Sequence, residues 1–337
     1  MDINRQPKIV VMGAGAVGSI IGGFLSKAGE NVTLIGRPKH VQAINSNGLQ
    51  IDGILGPFTV NVPAQEFLTF EPDLVLLTVK TQDLESTCSQ IKEFIGESGV
   101  VLMLNGVRGF EIASAVLERE DILPCVVRFN ASYLKPGFVT YTIKGSLLIG
   151  GNTQSGKFTS EEVRALLNKA VPTTIARDII GAQWTKLLIN SLGNGLEAMT
   201  GMSFGECMDY SDLRRIGIMI LREGFEILAM KGVKPDSLPG IPIQLFKFII
   251  KSPVPIASVI FKNILRGTAS TTSTLQSILR GVPTEIDYLN GEIVVQGRKV
   301  DCSTPYNEKV VEIVNNVERS GQFYTPAEIT SLFSLGG

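Results

Sequence analysis

The sequence predicts an α/β fold in which a domain built on a parallel sheet precedes a domain made only of helices. Up to about residue 175, short apolar runs of strand length alternate with helical segments. These runs are apolar throughout rather than at every second position, which is typical of a parallel sheet covered on both faces. After residue 177, long helical patterns replace the strand signals. We therefore expect two domains, residues 1–177 and 178–337, each large enough for its own core.

The first domain is predicted to alternate strands with helices. A helix over 16–28 follows the first strand, and a shorter helix over about 161–170 precedes the last one. The predicted strands are 8–12, 31–35, 74–79, 100–104 and 173–176. Two further runs, 138–142 and 146–149, are predicted to form a hairpin that closes this domain.

The second domain is predicted to be all-α. Gly232 and Gly297 are expected to end helices, and Pro305 is expected to occupy the first turn of one. Thr284 and Asp287 have the spacing of a capping box at the start of another. The predicted helices are 178–199, 211–231, two across 241–265, 271–279, 285–296 and 305–320.

One apolar stretch of this second domain, residues 239–265, has three interpretations. In the first, it forms two buried helices that cover a substrate cleft. In the second, it is the interface between two copies of the chain in a homodimer, and in the third it contacts a membrane surface. Lysines and prolines interrupt it, so it lacks the roughly 18 uninterrupted apolar residues of a spanning helix. We expect no membrane-spanning segment.

The composition excludes several classes of protein. The 31 Lys and Arg residues are balanced by 32 Asp and Glu residues, so nothing indicates a nucleic-acid partner. His40 is the single histidine, which argues against a His-rich metal site and indicates that the proton donor of any enzyme is another residue. The four cysteines form no C-x-x-C pair, so we expect buried or half-buried thiols and no bound metal. A polar N-terminus without a signal peptide favours a cytoplasmic location.

A glycine-rich turn follows the first predicted strand and opens the first predicted helix. Its residues are Gly13, Ala14, Gly15, Ala16, Val17 and Gly18. The first glycine permits a tight turn, the second lets the backbone approach a pyrophosphate, and the third allows the helix to pack close to the strand. The helix N-terminus then presents unpaired N–H groups to the phosphates. This context predicts a Rossmann-type dinucleotide-binding domain.

The end of the second strand indicates which dinucleotide is bound. NAD sites place an acidic residue there to accept a hydrogen bond from the ribose, whereas this chain has Arg37 and Lys39. A guanidinium can hold a 2′-phosphate with two hydrogen bonds, so the sequence favours NADP. The alternative is that both cations are solvated loop residues. His40, in the same loop, is expected to lie on the surface.

A polar stripe marks the first helix of the second domain. Lys186, Asn190 and Asn194 are spaced four residues apart and lie within about 80° of rotation on a mostly apolar helix. They line either an ordinary solvated face or a cleft. In a cleft, the Lys186 ammonium could polarise a carbonyl group and donate a proton to it as a hydride arrives.

These motifs occur in an order that resembles the ketopantoate reductase (2-dehydropantoate 2-reductase) family over residues 8–320. Besides the glycine turn and the Lys186 helix, the matching segments are Lys80, Asn105-Gly106-Val107, Ser273-x-Leu-Gln and Thr284-Glu285-Ile-Asp-x-x-Asn290-Gly291. The resemblance implies reduction of 2-dehydropantoate to (R)-pantoate with NADPH, on the route to pantothenate and coenzyme A. It also implies roles for individual residues: Lys186 as general acid, Glu285 as the residue that orients it and contacts the substrate, Asn105, Asn190, Asn194 and Ser273 on the substrate, and Gly13 to Gly18, Arg37, Lys80 and Asn105 on the cofactor.

Four positions depart from the family pattern, namely Arg108, Gly195, Glu197 and Ser277. They leave the reaction type intact and leave the identity of the substrate open. The alternatives are a reductase of another 2-oxo acid, an opine-type reductase on the same scaffold, and a non-catalytic NADP-binding sensor.

Overall fold

The computed structural model of the chain describes residues 6–151, 154–236, 243–265 and 271–333. The described residues divide into two compact units, and the boundary falls between Ile179 and Ile180. Within these ranges no helix is both long enough and apolar enough to cross a membrane.

The first unit carries all the strands of the described residues, with helices between them. The strands are β1 (Ile9–Met12), β2 (Val32–Ile35), β3 (Leu49–Gly53), β4 (Phe58–Val60), β5 (Ala64–Gln65), β6 (Leu74–Leu77), β7 (Gly99–Leu102), β8 (Ile122–Val127), β9 (Asn130–Lys135), β10 (Phe138–Ile143), β11 (Leu147–Ile149), β12 (Gln154–Ser155), β13 (Phe158–Thr159) and β14 (Thr173–Ile175). The helices are α1 (Ala16–Lys27), α2 (Pro38–Asn47), α3 (Leu84–Ile91), α4 (Gly109–Leu117) and α5 (Ser160–Leu167), with a 3₁₀ helix at Thr81–Asp83.

The main sheet of the described residues has eight strands in the order β14-β11-β8-β7-β6-β1-β2-β5. Neighbouring strands run parallel except β11 and β8. The chain order reverses at β1, which pairs with β2 on one side and with β6 on the other. In such sheets ligands bind outside the carboxyl ends of the strands at the point of reversal.

Both faces of the main sheet are buried, as the uninterrupted apolar runs predict. Ile9 and Val11 of β1 belong to a core shared with α1, α2 and α5. Val10 and Met12 belong to a second core on the opposite face, shared with α3 and α4. The expectation of a covered parallel sheet is confirmed.

The predicted hairpin of residues 138–142 and 146–149 is wrong, because its two strands belong to different sheets. Strand β10 joins a separate sheet of order β4-β3-β10-β9, while β11 joins the main sheet between β8 and β14. The connection passes close to the backbone just after β8, because a Cβ on Gly145 would collide with the carbonyl group of Arg128. A glycine in this position therefore reflects a close crossing between sheets rather than a hairpin turn.

The second unit has helices and no strand in its described residues. Its helices are α6 (Ile179–Thr200), α7 (Phe204–Cys207), α8 (Ser211–Met230), α9 (Ile243–Lys251), α10 (Val254–Leu265), α11 (Ser273–Leu279), α12 (Asn290–Lys299), α13 (Pro305–Ser320) and α14 (Pro326–Leu332), with a 3₁₀ helix at Ile286–Tyr288. The all-α prediction is confirmed, and Pro305 begins α13 as expected. Helix α14 was not predicted, although Thr325 and Glu328 form a capping box at its start. The apolar stretch that begins at residue 239 is described from residue 243, where α9 and α10 bury Phe246, Ile249 and Phe261 but expose Phe248 and Val259.

Two local predictions in this unit are wrong. The expected helix over 285–296 is a 3₁₀ turn followed by α12, and Glu285 rather than Thr284 occupies the N-cap position. The Thr284 hydroxyl accepts a 3.4 Å hydrogen bond from the N–H of Ile286 instead of forming the expected box with Asp287. Gly297 does not end α12 but lies inside it. A Cβ there would approach the carbonyl oxygen of Cys302 to 2.8 Å, which accounts for the glycine.

Candidate active site

The glycine-rich turn is fixed to the end of β2 by two backbone hydrogen bonds. The N–H groups of Gly13 and Ala14 both donate to the carbonyl oxygen of Ile35, at 3.0 and 2.8 Å. Gly13 has φ +104°, a conformation that glycine adopts without strain. Gly15 is then the N-cap of α1, so the first helical N–H groups begin directly after the turn.

The space around the three glycines fits a bound pyrophosphate. A Cβ on Gly13 would lie 2.8 Å from the Val79 side chain, and one on Gly18 would collide with the Gly13 carbonyl oxygen and approach Thr78 Oγ1 to 2.5 Å. A Cβ on Gly15, in contrast, would meet nothing within 4 Å in the described part of the chain. The outer two glycines are therefore required for packing, whereas Gly15 leaves open space where a ligand could approach the backbone.

The remaining expected cofactor residues follow the carboxyl ends of neighbouring strands of the same sheet. Arg37 is the N-cap of α2, two residues after β2, and its side chain is exposed. Lys80 follows β6 and is the N-cap of the 3₁₀ helix. Asn105 follows β7, and its carbonyl oxygen accepts a 3.4 Å hydrogen bond from Thr81 Oγ1. The first unit thus gathers the glycine turn, Arg37, Lys80 and Asn105 along one edge of the sheet.

His40 is not on the surface as expected, because only 2% of the residue is exposed. Its Nδ1 accepts a hydrogen bond from the N–H of Gly137 at 2.8 Å, and its Nε2 lies 3.1 Å from Ser19 Oγ. The ring of Tyr133 packs edge-on against it at 5.0 Å between centroids. Burial lowers the pKa of His40 to about 4. Tyr133 lies in β9 of the second sheet, and Gly137 lies in the turn between β9 and β10; the sequence predicted only the β10 strand of this sheet.

The polar stripe of the second unit lies on α6, and Asn194 lies at its buried end. Lys186 and Asn190 are half-buried, whereas Asn194 is 4% exposed. Asn194 Oδ1 accepts hydrogen bonds from Ser273 Oγ at 3.2 Å and from the N–H of Thr274 at 3.0 Å. Its Nδ2 donates to the carbonyl oxygen of Asn190 at 2.9 Å. The interpretation as an ordinary solvated face is therefore wrong for Asn194, and two predicted substrate residues, Asn194 and Ser273, are in contact.

Glu197, one turn further along α6, binds the start of the segment that carries Ser273. Its Oε2 accepts a 2.7 Å hydrogen bond from the N–H of Thr272, and its Oε1 accepts a 2.9 Å bond from the N–H of Phe204. The carboxyl group is fully buried, and this burial raises its pKa. Sequence reasoning noted Glu197 only as a departure from a family pattern. Its i, i+3 spacing from Asn194 was the signal that the two share a helix face.

Glu285 is half-buried at the start of the 3₁₀ turn, and Asn290 at the end of the same segment joins it to α6. Asn290 Nδ2 donates to the carbonyl oxygen of Ser191 at 3.2 Å and to Asn307 Oδ1 at 2.9 Å. Asn307 Nδ2 in turn donates to Glu223 Oε2 at 2.6 Å. This buried network fixes the position of the Glu285 segment relative to the helix that carries Lys186.

Two of the departures from the family pattern have local structural reasons. At Gly195, a Cβ would approach the Val310 side chain of α13 to 2.9 Å, so a glycine lets the two helices pack closely. Ser277 is buried, and its hydroxyl donates a 2.9 Å hydrogen bond to the carbonyl oxygen of Ser273 within α11.

Comparison with known proteins assigns the chain to a family. The model of the ketopantoate reductase PanE/ApbA domain matches residues 9–154, and the model of the C-terminal ketopantoate reductase PanE/ApbA domain matches residues 178–318. The chain belongs to the ketopantoate reductase family. The 2-dehydropantoate 2-reductase of Pyrococcus horikoshii is 30% identical to this member over 93% of the chain and 98% of its own length. The enzyme of the same name from Aquifex aeolicus is 27% identical over 92% of the chain and 97% of its own length.

Solved structures of other family members and relatives share the fold. A PanE/ApbA family ketopantoate reductase from Ralstonia eutropha JMP134 has a TM-score of 0.77 and 29% identity, over 92% of this chain and 98% of its own. A complex of D-mandelate dehydrogenase with NADH has a TM-score of 0.76 and 26% identity, over 93% of this chain and 99% of its own. The α/β unit followed by a helical unit is therefore the family fold.

Proposed function

We propose that this member of the ketopantoate reductase family reduces 2-dehydropantoate to (R)-pantoate with NADPH, a reaction on the route to pantothenate and coenzyme A. The observation that carries the proposal is the polar cluster on α6, where Asn194 holds Ser273 on the helix that also presents Lys186 and Asn190. Relatives named 2-dehydropantoate 2-reductase that align over nearly the whole chain support the choice of substrate.

The cofactor proposal rests on the first unit, which corresponds to the predicted domain of residues 1–177. The glycine turn has the open approach at Gly15 that a pyrophosphate needs, and Gly13 to Gly18 with Lys80 and Asn105 would hold the dinucleotide. Residues 35–40 contain Arg37 and Lys39 and lack a carboxylate, which would repel a 2′-phosphate. NADPH, when bound, supplies the hydride that reaches the carbonyl carbon of the substrate.

In this proposal the second unit carries the substrate-binding side chains and the proton donor. Lys186 holds a proton at Nζ and donates it to the carbonyl oxygen of the 2-oxo acid as negative charge develops there. Glu285 contacts the substrate and orients the lysine. Ser273 and Asn190 bind the carboxylate and the hydroxyl group of the substrate. Asn194 contacts the substrate beside Ser273 and, through Oδ1, fixes the Ser273 side chain in place.

A reductase of another 2-oxo acid is the second candidate. The observation that favours it is the likeness to D-mandelate dehydrogenase, a structure described with NADH, which aligns over almost the whole chain. Arg108 and Glu197 also depart from the expected family pattern.

The test is a spectrophotometric assay of NADPH and NADH oxidation with a panel of 2-oxo acids. The panel should contain 2-dehydropantoate, 2-oxoisovalerate, pyruvate and benzoylformate. We expect the highest kcat/KM with 2-dehydropantoate and NADPH. Preference for benzoylformate or another member of the panel would replace the named substrate, and absence of turnover with all of them would refute a reductase function.

A further inference from the structure

A buried chain of hydrogen bonds connects the glycine-rich turn to the second sheet. The hydroxyl of Ser19, in the first turns of α1, donates to the carbonyl oxygen of Ala14 at 3.2 Å. His40 Nε2 lies 3.1 Å from the same hydroxyl, and the N–H of Gly137 donates to His40 Nδ1 at 2.8 Å. Ser19 is fully buried and His40 is 2% exposed.

The direction of this chain follows from the donors and acceptors themselves. The N–H of Gly137 can only donate, so His40 Nδ1 carries no proton, and the neutral ring has its proton on Nε2. Nε2–H then donates to Ser19 Oγ, which leaves the serine proton for the carbonyl oxygen of Ala14. Burial keeps the ring neutral, since it lowers the pKa of His40 to about 4.

The chain ends on a peptide group that is part of the proposed cofactor cradle. The N–H of Ala14 donates to Ile35 and its carbonyl oxygen accepts from Ser19, so hydrogen bonds hold this residue from both sides. Because the peptide unit is planar, fixing that carbonyl also fixes the direction of the following N–H, at Gly15, which donates to the carbonyl oxygen of Gly13 at 2.7 Å and so closes the turn. The backbone N–H of His40 itself donates to the carbonyl oxygen of Arg37 at 2.9 Å. His40 is therefore linked to the turn for the pyrophosphate through Ser19, and to the turn that carries Arg37 through its own backbone.

We propose that His40 is a positioning residue for the dinucleotide: through Ser19 it sets the orientation of the Ala14–Gly15 peptide, and through its backbone it holds the Arg37 turn beside it. This inference rests on the proposed dinucleotide-binding function. It does not depend on which 2-oxo acid is the substrate.

The two ring nitrogens can be replaced separately. In His40→Asn, the side-chain oxygen can take the place of Nδ1 and accept from Gly137, but no group reaches Ser19. In His40→Gln, the longer amide can take the place of Nε2 and donate to Ser19. Ser19→Ala removes the link to Ala14 and leaves the histidine intact. Val41→Ala, next to His40 and buried in the same core, is the control for a loss of packing alone.

The experiment is calorimetric titration of the full-length protein and each variant with NADPH, with thermal unfolding of the same samples. We expect His40→Asn and Ser19→Ala to raise the Kd for NADPH about tenfold, which corresponds to about 1.4 kcal/mol. His40→Gln should lie closer to the wild type than His40→Asn. Val41→Ala should lower the Tm and leave the Kd within twofold of the wild type.

The outcomes separate the two proposals. If His40→Asn and Ser19→Ala lower the Tm but bind NADPH as tightly as the wild type, His40 is a structural residue and the positioning role is refuted. A wild-type protein that binds NADPH but reduces no 2-oxo acid would refute the reductase function and leave the role of His40 standing. A wild-type protein that binds neither NADPH nor NADH would refute both.

Discussion

Arg37, Lys39 and His40 lie within four residues of one another, yet their surroundings differ sharply. The two cations are exposed at the start of α2, whereas the histidine is buried beneath the second sheet. The pattern of charges at the end of β2 could be predicted from the sequence because it depends on one strand and one turn. The burial of His40 could not be predicted, since its partner Gly137 is 97 residues away, in the turn between two strands of a second sheet that was not predicted as a sheet.

The exposed pair provides a matched test of cofactor choice. Arg37→Glu should lower the ratio of kcat/KM with NADPH to kcat/KM with NADH by at least tenfold, because a carboxylate repels the 2′-phosphate that the guanidinium is proposed to bind. Lys39→Glu makes the same change of charge two residues away and should shift the ratio much less. Equal effects of the two substitutions would mean that only the overall charge of the turn matters.

The proton donor can be tested apart from cofactor binding. Lys186→Ala should lower kcat by about 10²- to 10⁴-fold, the usual contribution of a general acid, and should leave the Kd for NADPH nearly unchanged. Lys231→Ala, at the exposed end of α8, is the control and should turn over normally. Retention of more than a tenth of the wild-type kcat in Lys186→Ala would remove Lys186 from the catalytic role.

Among the site residues, the sequence could indicate membership of the site but not the contacts within it. Lys186, Asn190 and Asn194 were predicted to share a face because helical spacing is local. The hydrogen bond from Ser273 to Asn194 spans 79 positions, and the bond from Thr272 to Glu197 spans 75. Such contacts depend on how helices pack against each other, and the spacing of residues within one helix does not determine that packing.

At the scale of elements, the predictions succeeded where a periodic pattern was long, whereas single glycines gave mixed results. Gly232 follows the end of α8 with φ +67°, as predicted. The patterns for α8 and α13 matched the helices closely. Gly145, in the connection of the predicted hairpin, and Gly297, a predicted helix end, both lie where another backbone segment comes too close for a side chain. A glycine required by packing and a glycine required by a turn look identical in one sequence.

Two glycines of α12 should therefore respond in opposite ways to the same substitution. Gly297→Ala should destabilise the protein by about 1–3 kcal/mol, because its Cβ would lie 2.8 Å from the carbonyl oxygen of Cys302. Gly291→Ala should be neutral or stabilising by up to about 1 kcal/mol, since the nearest atom lies 3.5 Å away and alanine favours the helix. Urea unfolding of both variants measures this, and a stable Gly297→Ala variant would contradict the packing role.

At the scale of the whole molecule, the division into two compact units predicts that a bound cofactor stabilises one unit directly. NADPH at about 100 times its Kd should stabilise the unit that binds it by about 2.7 kcal/mol. Hydrogen exchange should then slow at residues 13–18 and 36–41, and the amides of α12 and α13 should exchange as in the free protein. Protection confined to the helical unit would place the cofactor site elsewhere.

The single histidine also makes the stability of the folded protein depend on pH in the acid range. Its pKa is about 4 in the folded protein against 6.5 for the free side chain, so the unfolded chain takes up this proton first as the pH falls. The neutral ring makes its full contribution to the free energy of unfolding above pH 6.5. Between pH 6.5 and about pH 4 this contribution falls by about 3 kcal/mol. Burial raises the pKa values of Glu197 and Glu223, so those two groups act in the opposite direction.

Comparison with His40→Asn isolates the contribution of this one group, because the variant keeps both glutamates. The difference in unfolding free energy between the wild type and the variant should narrow as the pH falls towards 4, and a constant difference would exclude the histidine as its source. Because the ring stays neutral in the folded protein down to about pH 4, the link from His40 to the cofactor turn should persist in mild acid, and NADPH affinity should survive while the stability of the chain is already falling.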